Sequence, residues 1–314
     1  MKMIDSKIKR DRRSIVGIAA LAMTPVLMAQ DQQSQNQNNN DQPARAQAKA
    51  AVNLLQSWTA AAEPMHIAGP IQFVGTQGLG VYLITTPAGH ILIGGGMPGS
   101  APLIEASIRK LGYKPEDIKI LLSNHAHFDH VGTLAEMKRV SGGKVAAMAQ
   151  DVTLLASGGT TDYLFAQDAQ YHFPAVTADR ALMDGDTIEL GGVKIMARLT
   201  PGHTPGCATY LTTVQDGGKG YRVVFADCTG INTGTRLVKS PSYPGILDDY
   251  RRTFGLLESL QPEIFLAYHS DDFSFPAKRE RAASEGAEAF VDPEGYRRFI
   301  AGRKAKLEQC IALE

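Results

Sequence analysis

The sequence has few cysteines, a single tryptophan, no excess of charge and no long apolar run. Three cysteines in 314 residues are too few for a disulfide-rich scaffold. Lysine and arginine total 32, as do aspartate and glutamate, so no global basic field is available to hold nucleic acid. No apolar stretch reaches the roughly 18 residues needed to span a bilayer. With 44% hydrophobic residues, the chain can bury a globular core.

The first 47 residues differ in composition from the rest. Basic residues crowd positions 2–13, an apolar stretch runs from Ile15 to Leu27, and small residues follow near Ala29. This order is typical of an export signal peptide, which we predict over residues 1–29. An uncleaved membrane tether is less favoured because the apolar stretch is short for a span. Residues 30–47 are rich in Gln and Asn and predict a disordered tail.

The remaining residues, 48–314, are predicted to form a single domain, exported to the periplasm and free of the membrane. Short strands separated by glycine-containing turns are predicted between residues 71 and 93. Helical and strand patterns then alternate, and they include a strand predicted over 144–148. A second group of strands begins at residue 187, and helices are predicted over 247–260, 277–290 and 293–311. This arrangement predicts an α+β fold in which two sheets pack face to face with helices outside.

Three imidazoles and one carboxylate fall within the six residues HAHFDH, directly after a buried strand predicted over 118–123. Two of them, His125 and His127, point to the same side of an extended segment, whereas Asp129 and His130 follow a turn into the next helix. Imidazole and carboxylate are zinc ligands. The motif therefore predicts a metal site at this strand end rather than a group of core histidines.

Two more histidines follow predicted strands. His203 lies in the loop PGHTPG after a strand over 193–200, and His269 ends a strand over 264–268. Functional side chains gather at strand ends in layered folds. Five histidines and one aspartate give six ligands, which suits two metal ions with open positions for water. The other histidines stand alone and are predicted to be solvated: His66, His90 and His172.

These motifs resemble the metallo-β-lactamase superfamily and, more narrowly, its subclass B3. The similarity covers roughly residues 63–306 and includes Val74-Gly75-Thr76, Gly158-Gly159, Ala178-Asp179-Arg180 and Asp184-Gly185-Asp186. It implies an αββα sandwich of two mixed β-sheets flanked by helices. It also implies two Zn²⁺ ions per chain, held by His125, His127 and His203 and by Asp129, His130 and His269.

The resemblance implies zinc-dependent hydrolysis of the β-lactam amide in penicillins, cephalosporins and carbapenems, with hydroxide as the nucleophile. Such an enzyme gives antibiotic resistance outside the cytoplasm, and its partner is a small-molecule β-lactam. Asp129 is expected to be catalytic, as a ligand that also orients the nucleophile.

The sequence departs from the B3 pattern at two places. Gly94 stands where many relatives have aspartate, and Cys228 stands where B3 enzymes often have serine. Cys228 is either disulfide-bonded to Cys207, a free thiol or a metal ligand. Four residues of this segment are predicted to bind substrate: Cys228, Thr229, Asn232 and Thr233.

Asp227 indicates an alternative function for the protein. Glyoxalase-II-like thioesterases and lactonases of the superfamily use an aspartate in this region to bridge both metals. Neighbouring strand residues face opposite sides, so Asp227 and Cys228 cannot both face the metals without a bulge. An inward Asp227 favours a thioester or lactone hydrolase, whereas the export signal and the B3-like segments favour the lactamase. A zinc-binding protein without catalysis is a third alternative, which six ligands make less favoured.

Overall fold

The structure is a computed structural model that describes residues 52–314. Residues Asn53–Glu314 form one compact unit. The predicted signal peptide (1–29) and tail (30–47) lie outside the described residues. Within the described part, no helix combines the length and apolar character needed to cross a membrane.

The strands form two sheets. The first sheet has seven strands, which are in spatial order β1 (Met65–Ala68), β2 (Ile71–Phe73), β3 (Tyr82–Thr86), β4 (Gly89–Ile93), β5 (Ile118–Leu122), β6 (Lys144–Met148) and β7 (Arg180–Leu182). The second has five, which are in spatial order β12 (Ile264–Leu266), β11 (Lys219–Phe225), β10 (Ala208–Asp216), β9 (Val193–Leu199) and β8 (Thr187–Leu190). Strands β4 to β7 pair in parallel, as do β11 and β12, and the other pairs are antiparallel. Both sheets are therefore mixed.

Helices connect and flank the strands. Over the described residues they are α1 (52–59), α2 (Ala101–Lys110), α3 (Phe128–Val131), α4 (Leu134–Ser141), α5 (Val152–Ala156), α6 (Ile246–Ser259), α7 (Phe275–Glu285) and α8 (Pro293–Leu313).

The first sheet is buried on both faces, and its sequence alternates between two cores. Successive residues of a strand point to opposite faces. In β3, Tyr82 and Ile84 belong to the core shared with the second sheet, whereas Leu83 packs in the core beneath α2 and α4. In the same way Leu122 of β5 faces the second sheet and Leu121 faces the helices. This explains why β5 is a nearly continuous apolar run.

The second sheet is covered by helices α6 and α8. Phe265 of β12 contacts the rings of Tyr296 and Phe299 of α8, with centroids 5.3 and 4.9 Å apart. Phe254 and Leu257 of α6 belong to the same apolar core. Helices, two sheets and helices thus form four layers, which confirms the predicted αββα sandwich.

Short elements differ from the sequence prediction. Strands β1 and β7 were not predicted, because three or four residues carry too little periodicity to identify a strand. The helix predicted over 277–290 ends at Glu285, because Gly286 takes a positive φ of 58° and a 3₁₀ turn follows it.

Four strands, β5, β9, β11 and β12, end at the same edge of the sandwich. Backbone hydrogen bonds join the two sheets here: Ala208 N donates to Asn124 O at 2.7 Å, and Gly80 N donates to Tyr268 O at 2.9 Å. The segments that follow these strands carry HAHFDH, PGHTPG, Asp227 and His269. The fold therefore collects residues more than a hundred positions apart at one edge.

Candidate metal centre

The first three predicted ligands converge at this edge. One ligand atom each of His125, His127 and His203 lies within 4.8 Å of the other two. The Nδ1 atom of His127 is 3.0 Å from Nε2 of His203. Since all three side chains arrive from loops that follow strands, the fold places three imidazole nitrogens around one point.

The outer nitrogen of two of these rings is held by an acceptor. The Nε2 atom of His127 lies 3.2 Å from a carboxylate oxygen of Asp162, and Nδ1 of His203 donates to Gly230 O at 2.9 Å. A hydrogen bond at one ring nitrogen fixes the tautomer and leaves the other nitrogen free of a proton. Nδ1 of His127 and Nε2 of His203 are thereby free to bind a metal.

The third ring, that of His125, is completely buried. Its Nδ1 lies 3.1 Å from the amide nitrogen of Asn124, whose side-chain oxygen is buried without a partner. Turning this amide by 180° places its oxygen where it can accept a hydrogen bond from the Nδ1–H of His125. Nε2 of His125, which has no hydrogen-bond partner, then becomes the third inward lone pair.

The second predicted triad lies beside the first. An oxygen of Asp129 is 3.2 Å from Nε2 of His130 and 3.7 Å from Nε2 of His269. The rings of His125 and His130 are 4.1 Å apart between centroids, so the two triads are adjacent. Asp129 and His130 are in the short helix α3, which begins one residue after His127.

The electrostatics of the site favour neutral imidazoles in the first triad. Burial disfavours the imidazolium, and the neighbouring His127 adds repulsion, which together lower the pKa of His203 to about 4. Burial, together with repulsion from the neighbouring imidazoles of His130 and His203, holds the pKa of His125 well below its usual range. In the second triad, burial alone would raise the pKa of Asp129, but His130 outweighs it and lowers that pKa. Neutral imidazole and ionised carboxylate are the forms that bind a metal.

This donor set fits zinc. Five imidazole nitrogens and one carboxylate oxygen are ligands that zinc accepts, and they form two groups of three, as in catalytic zinc sites. The unpartnered, buried Nε2 of His125 would otherwise remain an unsatisfied polar atom. The residues present therefore fit a metal in each triad.

A buried carboxylate, Asp151, joins the two ligand loops. Its Oδ2 accepts hydrogen bonds from Ala126 N at 3.0 Å and from the Thr204 hydroxyl at 2.7 Å. Its Oδ1 accepts from Gly206 N at 2.7 Å. Ala126 lies between two ligands of the first triad, and Thr204 follows the third. Asp151 thus holds the spacing of that triad, a role that the sequence did not suggest.

The triads lie at the base of a cleft of about 620 Å³. Asn232 and Thr233, two of the predicted substrate-binding residues, line this cleft. Cys228 and Thr229 do not: both are buried, and Cys228 forms a disulfide with Cys207. The expectation that the Cys228 thiol contacts substrate is therefore corrected, because its sulfur is bonded elsewhere.

Asp227 faces the metal ligands. It is 5% exposed, lines the cleft, and places a carboxylate oxygen 3.9 Å from Nε2 of His130. The next residue, Cys228, takes a positive φ of 57°, and its sulfur is bonded to that of Cys207. The structure thus resolves the alternative between these two neighbours in favour of an inward Asp227.

Several cleft residues were missed by the sequence analysis. The Trp58 ring packs 5.3 Å from the ring of His269, so the α1 tryptophan is part of the cleft wall. Arg303 of α8 also lines the cleft. One predicted solvated histidine, His90, is instead buried against Tyr113, with ring centroids 5.1 Å apart.

A larger groove of about 840 Å³ lies along strands β8 to β11 and the end of α6. Among the residues that the structure describes, its lining includes Lys194 and Arg222 but no histidine, cysteine or carboxylate. These lining residues offer neither metal ligands nor a general base, whereas the lining of the smaller cleft includes several of the predicted metal ligands.

Solved structures resemble the chain over most of their length. A β-lactamase from Chitinophaga pinensis is 39% identical, with a TM-score of 0.78, and the match covers 82% of this chain and 96% of that one. BJP-1, a subclass B3 metallo-β-lactamase of Bradyrhizobium japonicum, is 36% identical, with a TM-score of 0.77 and coverage of 82% and 97%.

Curated relatives match over shorter segments. A probable metallo-hydrolase of Burkholderia pseudomallei is 35% identical over 36% of this chain and 37% of its own. A hydroxyacylglutathione hydrolase of Rhodopseudomonas palustris is 29% identical over 52% of each chain. An N-acyl homoserine lactonase of a Bacillus species is 25% identical over 48% of this chain and 64% of its own. The chain thus spans about one to two thirds of the length of these relatives.

A sequence profile of the metallo-β-lactamase superfamily matches residues 81–269, a segment that contains both triads and Asp227. Together with the sandwich fold and the solved relatives, this match shows that the chain belongs to the metallo-β-lactamase superfamily.

Proposed function

We propose that this protein is an exported, periplasmic di-zinc β-lactamase that hydrolyses the amide bond of β-lactams. The observation that carries the proposal is the pair of adjacent triads at the base of an open cleft. Support also comes from the likeness to solved β-lactamases over at least 96% of their chains. Zinc bound by the two triads supplies Lewis acidity, which acidifies water and polarises a carbonyl group.

Asp129 has the central role among the protein groups. One of its oxygens faces His130 and His269, and the other makes no hydrogen bond within the described residues. This second oxygen can accept a hydrogen bond from the attacking water and orient it toward the substrate carbonyl. Asp129 therefore serves as ligand and as positioning group for the nucleophile.

The cleft walls bind the rest of the substrate. Phe165 and Tyr171 stack on each other with centroids 4.2 Å apart, and Phe165 lies 5.6 Å from the ring of His127. Trp58 adds another aromatic surface to the cleft. These rings can cover the apolar side chain of a β-lactam, while Asn232 offers an amide to its polar groups.

A lactone or thioester hydrolase is the second candidate, and the inward Asp227 favours it. A carboxylate between the triads gives the site one more anionic ligand than the six predicted ones. The similarity to hydroxyacylglutathione hydrolases and an N-acyl homoserine lactonase is consistent with this candidate.

Metal analysis and a substrate panel separate the two candidates. We expect about two zinc ions per chain, turnover of nitrocefin and imipenem that chelation abolishes, and little turnover of S-lactoylglutathione or an acyl-homoserine lactone. The reverse pattern of turnover would replace the proposal by the second candidate. A single, tightly bound zinc without turnover of any substrate would indicate a binding protein.

Asp129→Ala tests the assigned role. The variant should fold but lose turnover by a factor of about 10² or more. Asp248→Ala, which removes an 86% exposed carboxylate on α6, is the matched control and should retain activity. Near-normal kcat in Asp129→Ala with full zinc content would contradict the role.

A further inference from the structure

Positively charged side chains are scarce in the cleft, so that apart from the metal ions proposed at its base few groups there attract an anion. The described residues that line it include four carboxylates (Asp129, Asp227, Asp271 and Asp272) but only one lysine or arginine, Arg303. Penicillins, cephalosporins and carbapenems carry a carboxylate, which needs a cationic or strongly donating partner once it enters such a cleft. Arg303 is the single side chain of that kind among these residues.

The position of Arg303 is fixed by two contacts. Its Nη2 donates to both carboxylate oxygens of Asp272, at 2.6 and 2.8 Å, and its guanidinium lies 5.2 Å from the centre of the Phe299 ring. Asp272 is in the turn that follows His269, where its backbone N–H donates to the His269 carbonyl at 3.1 Å. The guanidinium is therefore anchored beside the second triad.

The pairing with Asp272 uses only the Nη2 group of Arg303 and leaves its other N–H donors without a partner among the described residues. A guanidinium has five N–H groups, and those on Nε and Nη1 of Arg303 make no hydrogen bond within the described residues. The side chain is 34% exposed and lines the cleft, so solvent and ligands can reach it there. Because Cys228 is locked in the disulfide, Asn232 and Thr233 are the remaining predicted partners, and neither carries a charge.

We propose that Arg303 is a specificity-determining residue that binds the carboxylate of anionic substrates beside the second triad. The proposal rests on the proposed hydrolysis of a carboxylate-bearing substrate. Asp272 holds the guanidinium in place, and the free Nε and Nη1 donors face the substrate anion.

The test compares an acid with its neutral ester. Arg303→Gln should raise KM for benzylpenicillin about tenfold and leave KM for benzylpenicillin methyl ester unchanged, because the ester has no charge to lose. Arg303→Lys should retain part of the preference. Lys304→Gln is the matched control, since Lys304 is the next residue of α8 and pairs with Glu258 at 2.8 Å. Equal changes for acid and ester would overturn the proposal.

A second variant distinguishes two explanations for a higher KM in Arg303→Gln: the loss of the Arg303 N–H donors, and repulsion of the substrate by the unpaired Asp272 carboxylate. Arg303→Gln leaves Asp272 without its partner, and its charge could itself repel the substrate anion. The double variant Arg303→Gln/Asp272→Asn removes both charges. If the acid-specific defect persists, the guanidinium binds the anion; if the defect disappears, the assignment of Arg303 as the binding group is wrong.

Binding without turnover gives an independent readout. Trp58 lies in the cleft, so its fluorescence can report binding of benzoate and benzamide to the zinc-loaded protein. We expect Arg303→Gln to weaken benzoate binding and leave benzamide binding unchanged; equal affinities of wild type and variant for benzoate would overturn the proposal. If the wild type hydrolyses no β-lactam, the proposed function fails, but this comparison still decides the role of Arg303.

Discussion

Asp151 offers a sharp test of how the first triad is held in place. It is 1% exposed and accepts three hydrogen bonds, from Ala126 N, Thr204 Oγ1 and Gly206 N. Burial raises the pKa of Asp151 even though these three bonds oppose that shift. The negative charge of Asp151 is therefore destabilised by burial. The side chain stabilises the ligand loops through the hydrogen bonds that its two oxygens accept.

Asp151→Asn keeps the shape and removes one acceptor. In either orientation, the new NH₂ group faces a backbone N–H, of Ala126 or of Gly206, whereas the Thr204 hydroxyl can rotate to accept. One buried N–H is then left unpaired, which costs about 1–3 kcal/mol of unfolding free energy. Relief of the buried charge acts in the opposite direction, so we expect the lower half of that range.

The same variant should loosen the metal site. Ala126 lies between His125 and His127, and Thr204 follows His203, so a shift at Asp151 changes the spacing of all three. Loss of a group that orients ligands typically lowers metal affinity about 10- to 100-fold. Urea unfolding measures the first effect, and competition with a chromogenic chelator measures the second.

The control is Asp248→Asn, which removes the same charge from an exposed site on α6. It should leave the zinc affinity unchanged and lower the unfolding free energy by less than about 1 kcal/mol, because the lost carboxylate lies in the first turn of α6 and pairs with Arg251. If Asp151→Asn behaves like this control in both measurements, the reasoning about the buried acceptors is refuted.

Three further predictions concern other parts of the molecule. Replacing Cys207 and Cys228 by serine should cost about 3 kcal/mol, since the bridge spans 21 residues, and should make urea unfolding insensitive to reductant; an unchanged midpoint would contradict this. The hydrogen-bonded pairing with Arg222 lowers the pKa of Glu263 to about 2, so this stabilisation is present above about pH 4.5 and disappears as the pH falls through 2. The Tm of wild type should therefore exceed that of Glu263→Gln at pH 6 and converge with it near pH 2, and parallel curves would argue against it. Gly202→Ala should lower both Tm and zinc affinity, because φ is +138° and a Cβ would lie 2.7 Å from a tyrosine ring of α6; a wild-type Tm would contradict the clash.

Much of the fold could be predicted from local patterns. The predicted strand over 118–123 is β5 with one residue fewer, and the strand over 144–148 is β6 as predicted. Both are apolar runs long enough to show their period. In contrast, β1 and β7 are defined by pairing with neighbours at the two edges of the first sheet, and that pairing is not visible in three or four residues.

The choice between Asp227 and Cys228 could not be made from the sequence. Strand alternation shows only that the two face opposite sides. Which of them faces the metals depends on the positive φ of Cys228 and on the position of Cys207, 21 residues earlier. Cys207 directly precedes β10, and Cys228 follows β11. The pairing of these two strands brings the two sulfur atoms close enough to bond.

The amino-acid sequence by itself determined the chemistry of the centre: which side chains can bind a metal, and that each follows a strand. Residue type and strand position are local properties, so a single chain reveals them. Tertiary structure decided what surrounds that chemistry, including the Asp151 bridge, the inward Asp227 and Arg303 at the cleft wall. These features depend on contacts between residues that are far apart in the chain, where spacing in the sequence sets neither distance nor direction.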